Sequence, residues 1–515
     1  MLRLLMILST GLCALTAATA PLTLPLQSRP SEGQSPVVQV REAEWDPRQT
    51  AMVVCDMWDE HWCKGATARV AELAPAMDKT LRAAREAGVL IIHAPSSTMG
   101  FYADTPQRAK AQNAPHAEMP TKDRWRHLIP EKEGPLPIDD SDEGCDCSPV
   151  CKLPKKSPWT RQIAAIHIGD EDAISDDGQE VYNLLKAEGR EKVIVMGVHT
   201  NMCVLGRPFS IRALVSNGFN VALMRDHTDT MYNSRSKPYV NHHRGTDLVV
   251  AHIERHWCPT ITSSVFTGAP PFRFSDDPRT HAALLIAEDE YELATTLPAF
   301  AETALAGESQ WRCNYVFGND EDVLMGHEAI DASDVMIVAM RRKLLPPEQV
   351  AAIQAHCNAG KPVVGIRTAS HAFLNRDGSV PDGRAAWPEF DRDILGGNYH
   401  NHHGNKGPKA PRTVVWVPEE VDHPILEGVR REPHETASWL YKTAPLGENT
   451  TVLMMGKVAD RTPHEPVTWI NHTRDGSRVF YTSLGHPEEF ANEDFQRLLA
   501  NGIRWTVDTE TGATE

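Results

Sequence analysis

Apolar, β-rich runs alternate with amphipathic helical stretches twice along this chain, and that alternation restricts the fold more than any other feature. A strand that a helix returns to lie parallel to its neighbour is covered on both faces. It therefore reads as an unbroken apolar run. Ala51–Cys55, Val89–His93, Lys192–Val198 and Asn220–Met224 are such runs, with a helical pattern from about Val70 to Ala87 between the first two. His281–Ile286, Asp334–Ala339 and Pro362–Ile366 form a second series, with a helix over Pro347–Asn358. Between the series, PPFRFSDDP at 270–278 combines turn formers and charge, as a linker does. The pattern predicts an α/β protein of two domains, of about 250 and 240 residues, each with a mostly parallel sheet and separated by a linker at 269–279.

A chain of 515 residues would hold three or four domains at about 150 residues each. The surplus goes into a polar, Pro-rich stretch at 106–156, inserted in the first domain, and into the start of the chain. Residues 1–20 read as a secretory signal peptide: Arg3, an apolar core from Leu4 to Leu15, and small residues at 17–20. Export to the periplasm or the extracellular space is expected, with no membrane association after cleavage. The balance of 52 basic and 69 acidic residues gives −17, which disfavours nucleic-acid backbones and anionic lipid surfaces. A small-molecule substrate and a homo-oligomeric assembly are the expected partners.

Ten cysteines fall to nine once the signal is removed, so at least one thiol stays without an intramolecular disulfide partner. Cys145, Cys147 and Cys151 form Cys-x-Cys-x3-Cys in the polar insertion. A local disulfide knot is one reading. Thiolate ligation of a metal, which needs a fourth partner from elsewhere, is another, and no special role is the third.

In Gly197-Val-His-Thr-Asn-Met-Cys203 a strand ends, a tight turn follows, and Cys203 falls near the first turn of a helix, where its thiol pKa would be lowered. Asp56 follows another strand end, where α/β sheets form their ligand crevices. A thiol beside a carboxylate able to take its proton is a nucleophilic centre, whereas a lone buried cysteine is core. The stretch VIVMGVHTNMCVLGRPFSIRALVSNGFNVALMRDHTDT, together with MVVCDMWDEHWC and HWCPTIT at 256–262, resembles the isochorismatase-like cysteine hydrolases over about 45–265. The resemblance implies a Rossmann-like fold and hydrolysis, often of C–N bonds in small amides, through a thioester on Cys203. Asp56 would be the general base, and the Val198–His199 peptide would be cis and shape the oxyanion site. The triad lysine has no match in IAAIHIGDEDAIS, so His167 is the candidate charge partner. Asp59, His61, His199 and Asn201 are candidate substrate contacts.

In the second series, Gly360–His371 is a strand ending in a sharp turn that carries Thr368, Ser370 and His371 but no cysteine. A loop further on gathers His400, His402 and His403, which could take a metal; no other cofactor is expected. VVGIRTASHAF, DILGGNYHNHH, Asp422–Ile425 and SRVFYTSLGH through NGIRW resemble the trehalose-utilisation, or ThuA-like, domains of the class I glutamine amidotransferase-like fold, over about 280–507. That resemblance implies a sugar-associated pocket, with Arg367, His371, His402 and His486 as its expected lining. The two resemblances together imply two three-layer α/β/α domains, over 45–268 and 280–507, and the combined expectation is an exported cysteine hydrolase acting on a small amide- or ester-like substrate, fused to a ThuA-like domain. The alternatives are a non-catalytic carbohydrate-binding protein, or catalysis confined to the second domain.

Overall fold

A computed structural model describes residues 20–508 except 32, 36, 122, 123, 406 and 408. Nearly all of the signal-peptide expectation therefore lies outside the described residues. The first sheet contains β1 (Leu22–Ser28), β2 (Gln39–Trp45), β3 (Thr50–Cys55), β4 (Leu90–Ala94), β5 (Ala173–Ile174), β6 (Lys192–Val198), β7 (Asn220–Asp229) and β8 (Thr260–Ile261). Its order is β2-β1-β8-β7-β6-β3-β4-β5. From β8 to β5 every pairing is parallel, and β1 and β2 add an antiparallel edge. The order reverses between β3 and β6, the switch point at which such sheets open a crevice beyond their strand ends. Every residue of β3 is buried, as its unbroken apolar run requires.

The helix Lys64–Ala87 returns the chain from β3 to β4. It buries Leu73, Ala74, Met77, Leu81 and Ala84 on one face and ends at Gly88, whose φ of 98° suits a left-handed cap. At the switch point the backbones of β3 and β6 approach so closely that a Cβ on Gly197 would lie 2.0 Å from the Cys55 carbonyl oxygen. The hairpin β1–β2 was not anticipated from the sequence. Pro25 breaks its strand pattern, and a proline is tolerated there because β1, though flanked by β2 and β8, pairs with β8 only at Gln27.

The second sheet contains β9 (Thr280–Ala287), β10 (Trp311–Gly318), β11 (Leu324–Met325), β12 (Val335–Met340), β13 (Val363–Ile366), β15 (Thr413–Trp416), β16 (His434–Thr436), β18 (Thr450–Val458), β19 (Glu465–His472) and β20 (Arg478–Thr482). A two-stranded ribbon, β14 (Asn401–His402) with β17 (Tyr441–Lys442), stands apart. β10-β9-β12-β13-β20 is a parallel doubly wound run, and β19-β18-β15-β16 continues it antiparallel.

Among its described residues the insertion carries one short helix, Pro106–Gln112, and otherwise irregular backbone anchored by polar contacts. Its Glu133 is buried and accepts from Arg212 (2.7 and 2.9 Å), His252 (2.8 Å) and Trp257 (2.8 Å). The stretch at 269–279 is a packed strap. Phe272 donates its N–H to Asp226, and Phe274 stacks on His243. Arg279 pairs with Asp277 and Asp247, while Arg29 bridges Glu254 and Glu302 across the two domains.

Candidate active sites

Asp56 follows β3 in a left-handed conformation (φ 48°) and is fully buried. Its Oδ1 accepts the Ser96 N–H (2.8 Å), just past β4, and its Oδ2 accepts Arg207 Nε (2.9 Å). β6 ends at Val198, and the Val198–His199 peptide is cis. The amides of Met202 and Val204 both donate to the His199 carbonyl, which winds the chain into the single turn Cys203–Gly206. Cys203 is buried, with its side chain hydrogen-bonded to Asp56.

Burial pushes the Cys203 thiol up, and the Asp56 charge pushes it further, against a downward pull from Arg207. The sequence pattern suggested a thiol lowered by a helix start. One turn of helix supplies little dipole, and desolvation wins. At rest the pair is therefore a thiol beside a carboxylate.

His167 is not part of this group. It sits on an exposed loop, where its N–H donates to Asp78 (2.8 Å) and its carbonyl accepts from Arg85 (2.8 Å). The cation beside Asp56 is Arg207, four residues after Cys203. Reading upstream of the nucleophile for a lysine could not find it; one helical turn downstream was the available signal.

Trp58 and Trp159 stack at 4.2 Å, His61 stacks on Trp159 at 5.7 Å, and the His61 ring meets His199 edge-on at 4.8 Å. Burial and the nearby Arg69 bring His61 down to about 4, and burial holds His199 well below the usual imidazole range, so both rings are neutral at pH 7. His199 Nε2, Trp159 Nε1 and Ser96 Oγ are buried without hydrogen-bond partners. They leave donor and acceptor capacity for a ligand. Asp59 is occupied by the Thr160 and Arg161 amides, and Asn201 clamps Met231 and Asp140. Both anchor loops around the site.

In the second domain Arg367 follows β13 with φ 48° and is fully buried. Its guanidinium lies 3.9 Å from the Tyr291 ring centroid and 5.2 Å from that of Tyr441. Nη1 donates to the Ser483 carbonyl (2.8 Å), while Nε and Nη2 have no acceptor in good geometry. His371 stacks on Tyr399 at 4.4 Å and contacts Ser370 Oγ at 3.2 Å. His486 faces Tyr291 at 6.2 Å, and His402 lies 6.4 Å from Trp439. Arg367, His371 and His486 thus share one aromatic cluster with His402 at its margin. The three loop histidines do not converge. His400 turns to the Asn398 carbonyl, and His403 bonds Glu465 at 3.1 Å. Tyr291, Tyr399, Tyr441 and Trp439 were missed because they come from three separate segments.

The fold and its two sites define a fusion of two α/β domains, one with a thiol–carboxylate centre and one with an arginine–aromatic cluster. Residues 285–506 match the family described as ThuA, trehalose utilisation, so the second domain is ThuA-like. A ThuA-like protein from Bacteroides uniformis is 19% identical, covering 46% of this chain and 96% of that chain with a TM-score of 0.35. A cysteine hydrolase from Pseudomonas syringae pv. phaseolicola is 19% identical, covering 43% and 92% with a TM-score of 0.28. An isochorismatase family protein from Burkholderia thailandensis is 11% identical, covering 43% and 95% with a TM-score of 0.24. A search of curated proteins found no match.

Proposed function

We propose that the first domain is a cysteine hydrolase of small amide- or ester-like substrates, and that the exported chain pairs it with a sugar-associated ThuA-like domain. The observation that carries this is the buried Cys203–Asp56 pair, with Arg207 against the carboxylate, at the switch point of the first sheet. Asp56 takes the thiol proton as Cys203 Sγ attacks the substrate carbonyl, so no free thiolate is needed beforehand. The developing oxyanion requires donors near the cis peptide. The collapsing intermediate forms the thioester, and the leaving amine or alcohol takes the proton back from Asp56. Water then attacks the thioester with Asp56 again as base, releasing the acid and restoring the thiol. Arg207 stays protonated throughout. It positions the Asp56 carboxylate and balances its charge, but it cannot relay a proton as a lysine can.

In the second domain, the unpartnered edge of Arg367 among Tyr291, Tyr441 and Trp439 suits a polyhydroxylated ligand, which stacks on aromatic faces and accepts from guanidinium N–H groups.

The test is turnover of a panel of small amides and esters by the full chain and by Cys203→Ala. Loss of turnover in the variant, with an acyl adduct trapped on Cys203 in the wild type, is the expected result. Undiminished turnover in Cys203→Ala overturns the reading. Failure of the wild type to turn over any member, together with sugar binding, favours the binding-protein alternative, which the substitution of arginine for lysine supports.

A further inference from the structure

The fourth partner that the Cys145, Cys147 and Cys151 cluster lacks in the sequence is supplied by the fold. Cys63 lies 84 positions before Cys147, at the N-cap of the helix Lys64–Ala87, and its Sγ is 3.8 Å from that of Cys147. The four sulfurs all fall within 4.8 Å of one another, and among the described residues this is the one group of metal-ligating side chains so arranged. Cys63 and Cys145 are buried, and Cys147 and Cys151 are half-buried.

We propose that Cys63, Cys145, Cys147 and Cys151 bind one thiolate-preferring metal ion, zinc in the first instance, as a closed structural site. Zinc–thiolate bonds of about 2.3 Å in a tetrahedron put sulfurs about 3.8 Å apart, whereas a disulfide needs about 2.05 Å. The Cys63–Cys147 spacing matches the tetrahedral edge.

Backbone amides already face the sulfurs. The Gly65 amide donates to Cys147 Sγ (3.2 Å), the Lys64 amide to Cys151 Sγ (3.5 Å) and the Cys151 amide to Cys145 Sγ (3.5 Å). Amide donors to ligating sulfurs are the usual outer shell of such sites. Arg235 holds the loop from outside through the carbonyls of Cys145, Asp146 and Cys147. Ala66, Met231, Trp62 and Met202 pack around the four cysteines. Glycines permit the approach: a Cβ on Gly144 would lie 2.3 Å from the Met231 carbonyl oxygen, and one on Gly65 would lie 3.3 Å from Cys147 Sγ. Four sulfur ligands leave no open position for catalysis, so the ion is a fastener. It ties the insertion to the start of the helix, two residues after His61, and Met202, the neighbour of Cys203, packs against it. The inference is independent of the hydrolase reading.

The test uses the full-length mature chain. Elemental analysis is expected to find one zinc or iron ion per chain. Exchange to cobalt is expected to give the sulfur-to-metal charge-transfer and visible bands of a tetrahedral tetrathiolate. Cys147→Ser is expected to lose that spectrum, while Cys313→Ser, in the second domain, keeps it. If Cys147→Ser does not fold, the wild-type stoichiometry and the cobalt spectrum decide. A metal-free protein whose mass is lower by four hydrogens, with peptides mapping two disulfides among these cysteines, overturns the proposal. So does a cobalt spectrum that survives Cys147→Ser.

Discussion

Arg207 Nε lies 2.9 Å from Asp56 Oδ2, and through that contact a cation one helical turn beyond the nucleophile compensates the carboxylate beside it. Removing one partner of a buried ion pair leaves the other uncompensated. Arg207→Ala is therefore expected to cost about 3 kcal/mol in denaturant unfolding. Arg207→Lys should retain most of that stability. An equal loss in both variants would show that packing, not charge, is what Arg207 supplies.

Burial and the Asp56 charge push the Cys203 thiol up. Alkylation of Cys203 by iodoacetamide, followed on its own peptide by mass spectrometry, should still be rising with pH beyond the ordinary thiol value of about 8.5. Because Arg207 pulls the other way, the profile of Arg207→Ala should lie at higher pH still. A plateau below pH 8 in the wild type would contradict this account.

Glu133 fastens the insertion. Against a burial penalty that would raise it, hydrogen bonds from His252, Arg212 and Trp257 bring its carboxyl down to about 2. A lowered acid contributes stability that is complete above its ordinary value of about 4.5 and is lost as pH falls toward 2. Roughly 2–3 kcal/mol is at stake. Thermal unfolding of wild type and Glu133→Gln should therefore differ at pH 7 and converge on acidification below pH 4.

Asp391 behaves in the opposite sense. Burial raises its carboxyl to about 7, with only the Tyr399 amide drawing it down, and its Oδ1 has no partner. A raised acid destabilises the fold progressively as pH climbs from its ordinary value through 7. Asp391→Asn should raise the melting temperature at pH 8 and change it little at pH 4. A variant less stable than wild type at pH 8 would show that the ionised form has a partner in solution.

Gly197→Ala places a Cβ against the Cys55 backbone, so the two central strands must part. Loss of soluble, folded protein is expected. Gly189→Ala, whose φ is 64° with nothing within 4 Å, should cost only about 1 kcal/mol by chemical denaturation.

The parallel strands were legible because double-sided burial leaves continuous apolar runs: β6 occupies the span its run predicts, and the helix Pro347–Asn358 does likewise. Cys203 and Asp56 were legible because each follows such a run. What lay hidden depends on contacts between distant segments. Arg207 stands where upstream alignment does not look, Cys63 is one cysteine among several until the chain folds, and the aromatic residues around Arg367 come from three places. His167 shows the converse: a titratable residue near an expected position whose backbone, not its ring, is what the fold uses.

The strap at 269–279 changes what it would mean to separate the two halves. Asp226 in β7 accepts the Phe272 amide, Phe274 lies on His243, and Arg279 reaches back to Asp247. The boundary between the domains is therefore not the boundary between their interactions. A piece beginning at 280 would shed Asp277, the carboxylate that holds His281, whereas a piece beginning at 269 would strip two phenylalanines from the face of the other domain. Shuffling this ThuA-like unit onto another partner would require the new partner to offer its own acid for Arg279 and its own shelf for the strap. The pairing seen here is in that sense a joint inheritance, not a modular one.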